Sequence, residues 1–431
     1  MQAGYAKVDI TPEPGIDLTG YLARMGPAEG VHDRLHCRAL VLRDGDTQAA
    51  LIETDTLGFG LQFTREVKRL LERETGIPAT NIMLAATHTH AGPATVVLNY
   101  CGEVALDYMG ALPARAVDAV RAAQADLADA EVRVGTAKVT GVALNRRDRA
   151  NGPLDEELTV VSFVTPSGST KAAILHYSCH AVVLGPANRL ISADFPGIAC
   201  AATESATGVP CTFMQGPCGD INPVIHPGSF DDVESTGMKI ATAAAALLQG
   251  RGGAQAASLQ VEEHPLRLPL AALPSLESLY KFRDKQMRAP GQVEEQFRAV
   301  QQKVAQAMAD WAERIIRSYC SGCTCTELPV VVQHFQFGDF VLVAIPGEAF
   351  VEFGLEAKQL AAAAGRQAIV VAYANGDIGY VPTVAAYEKG GYEVEWAYRY
   401  YGYPAPVAPE AGEMIRGAIR HFVERRLASS E

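Results

Sequence analysis

Short apolar runs alternate with stretches of helical periodicity along most of this chain. Residues 38–43 and 48–54 are apolar runs on either side of Asp44-Gly45-Asp46, a pattern that predicts a β-hairpin. A helical pattern over 62–74 and a further apolar run over 82–86 follow. Because strands alternate with helices, the pattern predicts an α/β fold with mixed β-sheets flanked by helices.

The same order of elements returns near the C-terminus, with strands predicted over 329–335, 340–345 and 368–373 and a helix over 350–363. In the N-terminal unit, Asp55 and His88 follow two successive strands and lie 33 residues apart. In the C-terminal unit, Glu348 and Tyr380 occupy similar places, 32 residues apart. We interpret the two units as a degenerate internal βαβ repeat; the alternative is that βαβ units of about 30 residues are simply common.

A long helical region separates these two units. Residues 274–319 are rich in Gln, Arg, Ala and Glu, and Ala289-Pro290-Gly291 interrupts them, so we predict an inserted helical hairpin. A lid, a dimer contact and a cover for the sheet are alternative roles for it. No linker rich in Pro, Gly or Ser divides the chain, and we therefore predict one domain over residues 1–431.

Composition excludes several classes of protein. Hydrophobic residues make up 48% of the chain and charged residues 20%, which is typical of a large buried core. The 49 acidic residues outnumber the 37 basic ones, so the net charge of −12 argues against a generic nucleic-acid-binding surface. No apolar run reaches the length of a transmembrane helix. The N-terminal residues lack a signal-peptide pattern and the nine cysteines are scattered, so we predict a cytoplasmic protein with reduced thiols.

The candidate chemistry is concentrated in a few polar residues that follow predicted strands. His88 and His90 flank Thr89, and side chains two residues apart on an extended backbone point to the same side. One imidazole as a metal ligand and the other as an acid–base group is a reasonable division. His180 and Glu348 also follow apolar runs, and two histidines with a glutamate form a known zinc ligand set. Each of these residues alone is equally consistent with a structural role.

Five segments occur together in an order that one enzyme family shares. They are Thr87–Pro93 (THTHAGP), Asn145-Arg146, His180 with Asn188–Asp194, Phe213–Pro223, and Pro346-Gly347-Glu348 followed by Tyr380, Tyr387 and Tyr392. In these segments the chain resembles the catalytic domain of the neutral/alkaline (non-lysosomal) ceramidases, zinc-dependent amidases that cleave N-acylsphingosine. The resemblance extends over residues 4–403 and implies that fold.

The resemblance also implies a ligand set. It places one zinc ion among His88, His180, Glu348 and Tyr380. A phenol is normally protonated below pH 10, but a divalent cation favours its ionised form, which makes a tyrosine ligand feasible. Water activated by the metal would attack a linear amide.

Three further residues receive catalytic roles from the same resemblance. His90 is implied as the proton shuttle to the leaving amine. Arg146 and Tyr392 are implied to stabilise the oxyanion, where one fixed donor typically contributes about 2.7–4 kcal/mol.

The chain departs from the family pattern at one position of the Gly219–Pro223 loop. Asn222 stands where the family has a serine, so a serine acyl-enzyme at this position is excluded, although Asn222 remains a candidate substrate contact. The chain also stops about where the family's catalytic domain ends, and it begins without a signal peptide. We therefore expect a substrate that is smaller or more soluble than ceramide.

Asp55 and His32 are weaker candidates. If the repeat holds, Asp55 corresponds to Glu348 and would orient a metal ligand; otherwise it caps the next helix. His32 is a candidate for lining the cleft. Its spacing to His36 would suit a metal pair on a helix, but the residues that follow have a strand-like pattern.

The cysteines and the aromatic segment carry two further alternatives. Cys320, Cys323 and Cys325 form a cluster that either binds a structural metal or consists of free thiols. Cys179 precedes His180 directly, and neighbours on a strand point to opposite faces, which argues against a Cys–His nucleophile pair.

Residues 380–403 are dense in aromatic side chains and suit a wall of an acyl-binding pocket, packing or dimerisation.

These observations favour a zinc-dependent hydrolase of a linear N-acyl amide, acting on a small-molecule or lipid-like substrate. An esterase or lactonase with the same metal site is one alternative. A catalytically degenerate binding protein of the same fold is the other, and Asn222 is the feature that favours it. The sequence leaves open the acyl chain length, the amine partner and whether the protein forms a homo-oligomer.

Overall fold

The computed structural model describes residues 1–250, 253–288 and 295–425. Its strands are β1 (Gln2–Asp9), β2 (Gly30–Val31), β3 (His36–Asp44), β4 (Thr47–Thr54), β5 (Ile82–Ala86), β6 (Ala128–Asp129), β7 (Glu131–Lys138), β8 (Ala143–Asn145), β9 (Glu157–Val164), β10 (Thr170–Tyr177), β11 (Leu190–Ile191), β12 (Cys211–Gln215), β13 (Ile221–Pro223), β14 (Leu259–Pro269), β15 (Glu327–Phe337), β16 (Phe340–Ala344), β17 (Glu348–Ala349), β18 (Gln367–Val371) and β19 (Tyr380–Val381).

The helices are α1 (Leu61–Thr75), α2 (Leu106–Ala125), α3 (Asp194–Thr207), α4 (Phe230–Gln249), α5 (Leu276–Gln286), α6 (Glu295–Ser321), α7 (Val351–Ala363), α8 (Val384–Lys389), α9 (Tyr392–Glu395) and α10 (Pro409–Glu424). Each predicted strand and helix of the N-terminal and C-terminal units is present, with ends within two residues of those expected. The predicted helical hairpin corresponds to α5 and α6, which pack against each other. Its predicted break at 289–291 lies outside the described residues.

Local chemistry accounts for where several helices begin and end. Helix α1 ends at Gly76, whose φ of 77° is a left-handed conformation that glycine adopts without a Cβ clash. Helix α4 begins with a capping box, in which Ser229 and Asp232 satisfy each other's backbone N–H groups.

The internal repeat is present, and it has three copies where the sequence predicted two. In the N-terminal unit, β1, β3 and β4 are antiparallel neighbours, and α1 connects β4 to the parallel strand β5. The middle unit repeats this order with β7, β9, β10, α3 and β12. The C-terminal unit repeats it again with β14, β15, β16, α7 and β18. The chain is therefore an α/β fold of mixed sheets, as expected.

The three sheets share one hydrophobic core. All three contribute buried side chains to it, among them Leu42, Met83, Phe163, Met214, Phe335 and Val371. Helices α1 and α2 cover the other face of the N-terminal sheet, while α3, α4, α7 and α10 pack with the other two sheets. That the chain forms one catalytic domain over residues 1–431 stays a prediction.

The last strands of the three units meet at their carboxyl ends. The backbone N–H of Asn375, after β18, donates to the carbonyl of Leu84 in β5 at 2.7 Å. The side-chain amide of Gln215, at the end of β12, donates to the carbonyl of Thr87 at 3.0 Å. The backbone carbonyl of Gln215 accepts a hydrogen bond from the backbone N–H of Ala372 at 2.9 Å. Residues that follow these strands are thereby brought to one place.

In the part of the chain that the structure describes, no helix combines the length and the apolar character needed to cross a membrane.

Candidate active site

His88 lies directly beyond β5 in an unusual backbone conformation. Its φ is 63°, a left-handed value that costs a residue with a Cβ roughly 1–3 kcal/mol and that is concentrated at functional sites. The imidazole is buried, and its Nδ1 lies 2.7 Å from the carbonyl oxygen of Leu57. A carbonyl can only accept a hydrogen bond, so Nδ1 carries a proton, and in this tautomer the lone pair of the ring lies on Nε2.

His180 is fixed in the same tautomer. Its Nδ1 lies 2.6 Å from the carbonyl oxygen of Cys218 and 3.2 Å from that of Ile221. Nδ1 is therefore the donor, and Nε2 again carries the lone pair. Metal-binding histidines characteristically donate their other ring nitrogen to a backbone carbonyl in this way. His88 and His180 thus share the arrangement of a metal ligand.

Glu348 faces both lone pairs. It lies on β17, in register beside Tyr380 of β19, and its Oε2 is 3.0 Å from Nε2 of His180 and 3.4 Å from Nε2 of His88. Burial raises the pKa of Glu348, and only hydrogen-bond donation or positive charge at His180 and His88 would hold that pKa well below its usual range. A carboxylate and two nitrogen lone pairs repel one another at these distances unless a positive charge lies among them.

His90 completes the group, which we call the histidine–glutamate cluster (His88, His90, His180 and Glu348). Its Nε2 is 3.2 Å from Nε2 of His88, and its buried Nδ1 has no hydrogen-bond partner among the described residues. Burial lowers the pKa of His90 well below 6.5. Gly20 leaves room for this ring, since a Cβ at residue 20 would lie 2.2 Å from Nδ1 of His90.

The donor atoms fit a tetrahedral divalent cation. One ligand atom from each of His88, His90 and His180 lies within 4.8 Å of the others, so this group includes His90, which the resemblance implies as the proton shuttle, and does not include Glu348. Zn–N bonds of about 2.0–2.1 Å in a tetrahedron separate neighbouring ligand atoms by about 3.3–3.4 Å. The closest separations in the cluster are 3.0–3.4 Å. Neutral imidazoles beside a carboxylate are the donors that zinc prefers.

Tyr380 has its hydroxyl next to an arginine. The Nη2 atom of Arg146 lies 3.0 Å from the Tyr380 hydroxyl and 2.6 Å from the carbonyl of Gly219. Arg146 also donates to Asn222 at 3.2 Å and to Glu393 at 3.0 Å. Burial raises the pKa of the Tyr380 phenol well above 10, and the positive charge of Arg146 partly offsets that rise. The guanidinium is held by four partners and is therefore rigid.

Tyr392 lies beside Tyr380, with ring centroids 5.7 Å apart and the rings edge to face. It is 48% exposed, so its side chain is accessible from solvent. The structure therefore brings together two predicted groups. One is the histidine–glutamate cluster, and the other contains Arg146, Asn222, Tyr380 and Tyr392. Pairing of Glu348 with Tyr380 joins the two groups.

Asp55 and His32 contribute to other contacts. Asp55 is fully buried, and it accepts hydrogen bonds from Arg38 at 2.8 Å and from the backbone N–H of His36 at 2.8 Å. The expected role in orienting a metal ligand therefore finds no support in its hydrogen bonds among the described residues. His32 is exposed and stacks on Phe230 with ring centroids 3.7 Å apart. His36 lies in β3, so the two histidines do not share a helix.

The cysteines do not form a comparable site. Cys320, Cys323 and Cys325 are exposed free thiols, and within the described ranges the histidines alone meet the geometric requirement for a metal group. Burial raises the pKa of Cys179 well above 9, so this thiol stays protonated and is a poor nucleophile.

Tyr401 carried no assigned role in the sequence, and Asp377 was a candidate only as part of a turn that could present it to a site. The Tyr401 hydroxyl lies 2.7 Å from Oε1 of Glu348 and 3.2 Å from Oδ2 of Asp377. Burial, with the charge of Glu348 adding to it, raises the pKa of Asp377 to about 7. Asp377 belongs to a polar turn that the sequence does reveal, between Asn375 and Tyr380. Tyr401 is one of many aromatic residues in its segment, and nothing in the sequence distinguishes it.

Comparisons with known proteins show which proteins this chain is similar to. The neutral ceramidase of Pseudomonas aeruginosa is 27% identical over 270 residues, which cover 55% of this chain and 40% of that protein. A neutral ceramidase of Mycobacterium tuberculosis is 28% identical over 285 residues, covering 55% of this chain and 44% of the other. The chain thus matches less than half the length of these relatives.

A crystal structure of the neutral ceramidase from P. aeruginosa matches with a TM-score of 0.75 and 23% identity, over 98% of this chain and 74% of that one. This likeness confirms the fold. Residues 1–254, more than half of the chain, match the family described as neutral/alkaline non-lysosomal ceramidase, N-terminal. The chain therefore belongs to the neutral/alkaline non-lysosomal ceramidase family.

Proposed function

We propose that the protein is a zinc-dependent hydrolase that cleaves a linear N-acyl amide. One observation carries the proposal. His88 and His180 commit their Nδ1 protons to backbone carbonyls, so both Nε2 lone pairs face the Glu348 carboxylate at 3.4 and 3.0 Å. A divalent cation bound among these atoms would offset the repulsion between the carboxylate and the two lone pairs.

In this proposal His88, His180, Glu348 and Tyr380 hold the ion, and the pairing of β17 with β19 brings Tyr380 beside Glu348. When bound, the zinc ion supplies a Lewis acid that polarises the amide carbonyl and acidifies water. The family relationship supports an amidase, because the relatives that match this chain include neutral ceramidases.

The side chains around the ion have distinct tasks. The lowered pKa of His90 keeps its imidazole neutral, so it can accept a proton from the attacking water and then deliver it to the leaving nitrogen. Arg146 is held by four partners and donates toward the carbonyl oxygen as negative charge develops there. Tyr392 is exposed beside Tyr380 and provides a second donor.

A cavity beside Arg146, whose lining does not include the histidine–glutamate cluster, supports a substrate that is smaller or more polar than ceramide. This cavity of about 630 Å³ is lined by Arg146 and Tyr392, and its wall also includes Arg147, Asp148 and Lys389. Charged groups of both signs favour a polar occupant over a long hydrocarbon chain. A cytoplasmic location stays a prediction.

Metal analysis combined with a substrate panel tests the proposal. We expect about one zinc ion per chain, loss of amide hydrolysis after chelation, and recovery when zinc is returned. The panel pairs N-acetyl and long-chain amides with matched esters, so that it also addresses the esterase alternative. His90→Ala should retain zinc and lose turnover, while His32→Ala, a surface control, should retain both. An unmetallated protein whose activity resists chelation would contradict the proposal.

A further inference from the structure

The two carboxylate oxygens of Glu348 have different partners. Oε2 faces the imidazoles of His88 and His180, whereas Oε1 accepts a hydrogen bond from the Tyr401 hydroxyl at 2.7 Å. With Oε1 engaged, one oxygen of Glu348 is left to face the histidines. The phenol thereby sets both the rotation of the carboxylate and the number of oxygens that it offers.

Asp377 holds the Tyr401 hydroxyl from its other side. Its Oδ2 lies 3.2 Å from the phenol oxygen, and its Oδ1 accepts from the backbone N–H of Gly379 at 2.9 Å. A phenol has one proton to donate, and the shorter contact identifies Glu348 as the acceptor. Gly379 also makes space for the tyrosine, because a Cβ there would lie 3.0 Å from the Tyr401 ring.

The helical hairpin anchors the segment that carries Tyr401. The indole N–H of Trp311, on α6, donates to the carbonyl of Tyr403 at 2.7 Å. The guanidinium of Arg399 lies 4.6–5.3 Å from the centroids of four aromatic rings, those of Phe282, Trp311, Trp396 and Tyr398. Cation–π contacts of this kind join α5 and α6 to residues 396–403.

We propose that Tyr401 is a positioning residue, which fixes the Glu348 carboxylate so that one oxygen is presented for metal binding. This role rests on the proposed zinc site. It also gives the helical hairpin a task, because the hairpin holds the segment from which Tyr401 reaches the cluster.

The test removes the hydroxyl alone, with Tyr401→Phe. Zinc affinity is measured by competition with a chromophoric chelator, and the visible spectrum of the cobalt-substituted protein reports coordination geometry. Groups that orient a metal ligand typically contribute 10–100-fold to affinity, and we expect a loss in that range together with an altered cobalt spectrum. Tyr403→Phe is the matched control, since its hydroxyl makes no hydrogen bond within the described residues.

The same substitution made in a Glu348→Gln protein distinguishes positioning of the Glu348 carboxylate from a general weakening of the fold. In Glu348→Gln, whose carboxylate is already lost, Tyr401→Phe should change zinc affinity little, because the two residues act through one contact. Equal losses in both backgrounds, or wild-type affinity in Tyr401→Phe, would overturn the role of Tyr401. A wild-type protein that binds no zinc would overturn the proposed function as well, so the two failures are distinguishable.

Discussion

Asp55 and Glu348 follow equivalent strands of the N-terminal and C-terminal units, and both are buried carboxylates. Asp55 has a resident counter-ion, since Arg38 lies 2.8 Å from it and 3.0 Å from Glu53. Glu348 has only imidazoles within ion-pair distance among the described residues. The same position in a repeated unit is therefore structural where the fold supplies the cation, and suited to a metal where it does not.

The middle unit has a different residue type, a histidine, at the corresponding strand end. After β10 it places His180, which is neutral and offers a lone pair. The repeat thus reproduces the position of a side chain while its chemistry varies. Substitutions at this position in the N-terminal unit should accordingly affect mainly stability, and those in the C-terminal unit should affect mainly metal binding.

The largest expected effect comes from Glu348→Gln. Loss of a proposed ligand removes a metal contribution of several kcal/mol to the transition state, so we expect activity to fall by about 10³-fold or more, together with a weaker but still measurable zinc affinity. Steady-state kinetics and zinc affinity of the purified variant measure both effects. Asp55→Asn is the matched change in the N-terminal unit and should keep its zinc. Weaker zinc binding in Asp55→Asn with wild-type affinity in Glu348→Gln would reverse the comparison.

Arg38→Met should have the next largest effect, on stability. It leaves Glu53 and Asp55 buried without their counter-ion, and breaking a buried ion pair in this way typically costs about 3–5 kcal/mol. Denaturant unfolding of the zinc-free protein measures the loss. Arg73→Met, at a largely exposed ion pair, should cost less than about 1 kcal/mol. Similar losses for the two variants would contradict the structural role of Arg38.

A smaller effect concerns His176, which lies within β10 and not beyond it. Burial, with the charge of Lys358 adding to it, lowers the pKa of His176 to about 4. Between this value and the unfolded value of about 6.5, the unfolded chain binds a proton that the folded chain does not. His176 therefore contributes its full stability above pH 6.5 and loses it as the pH falls toward 4, about 2 kcal/mol between pH 7.5 and 5.

His176→Gln should flatten this dependence, because glutamine does not titrate. Unfolding free energies at pH 7.5 and pH 5 provide the measurement. His32→Gln makes the same substitution at an exposed histidine and serves as the comparison variant. An unaltered slope in His176→Gln would assign the acid sensitivity to other groups.

The smallest effect is expected for Arg399→Met, which removes the charge from the aromatic cage of the helical hairpin. Cation–π contacts contribute roughly 0.5–2 kcal/mol, so a loss within that range is expected in denaturant unfolding. Zinc affinity should also decrease, by less than in Tyr401→Phe, because the segment is loosened while the hydroxyl remains. Unchanged stability would show that the cage does not hold the hairpin.

Much of the fold could be predicted because the relevant patterns are local. The hairpin around Asp44-Gly45-Asp46 and the strand before His88 are visible as apolar runs bounded by turn residues. The sequence pattern does not reveal the middle unit. A long connection separates β10 from α3, and no residue spacing there matches the other two units.

Part of the site could likewise be predicted from the sequence, and part could not. His88, His180 and Glu348 each follow a strand, and the carboxyl ends of neighbouring strands meet, so their proximity could be predicted. The pairing of Arg38 with Glu53 was also within reach, because the tight turn places these residues opposite each other. Tyr401 was not, since it reaches Glu348 from an irregular segment whose position depends on packing against the helical hairpin.

The meeting of the three units has a consequence for folding kinetics. His180 and Glu348 are 168 residues apart in the chain, and Arg146 and Tyr380 are 234 apart. Contacts between such distant residues form late, because long loops must close before the contacts can stabilise anything. The site is complete only when all three units have docked. Recovery of activity after refolding therefore reports the docking of the units, and it follows the recovery of secondary structure.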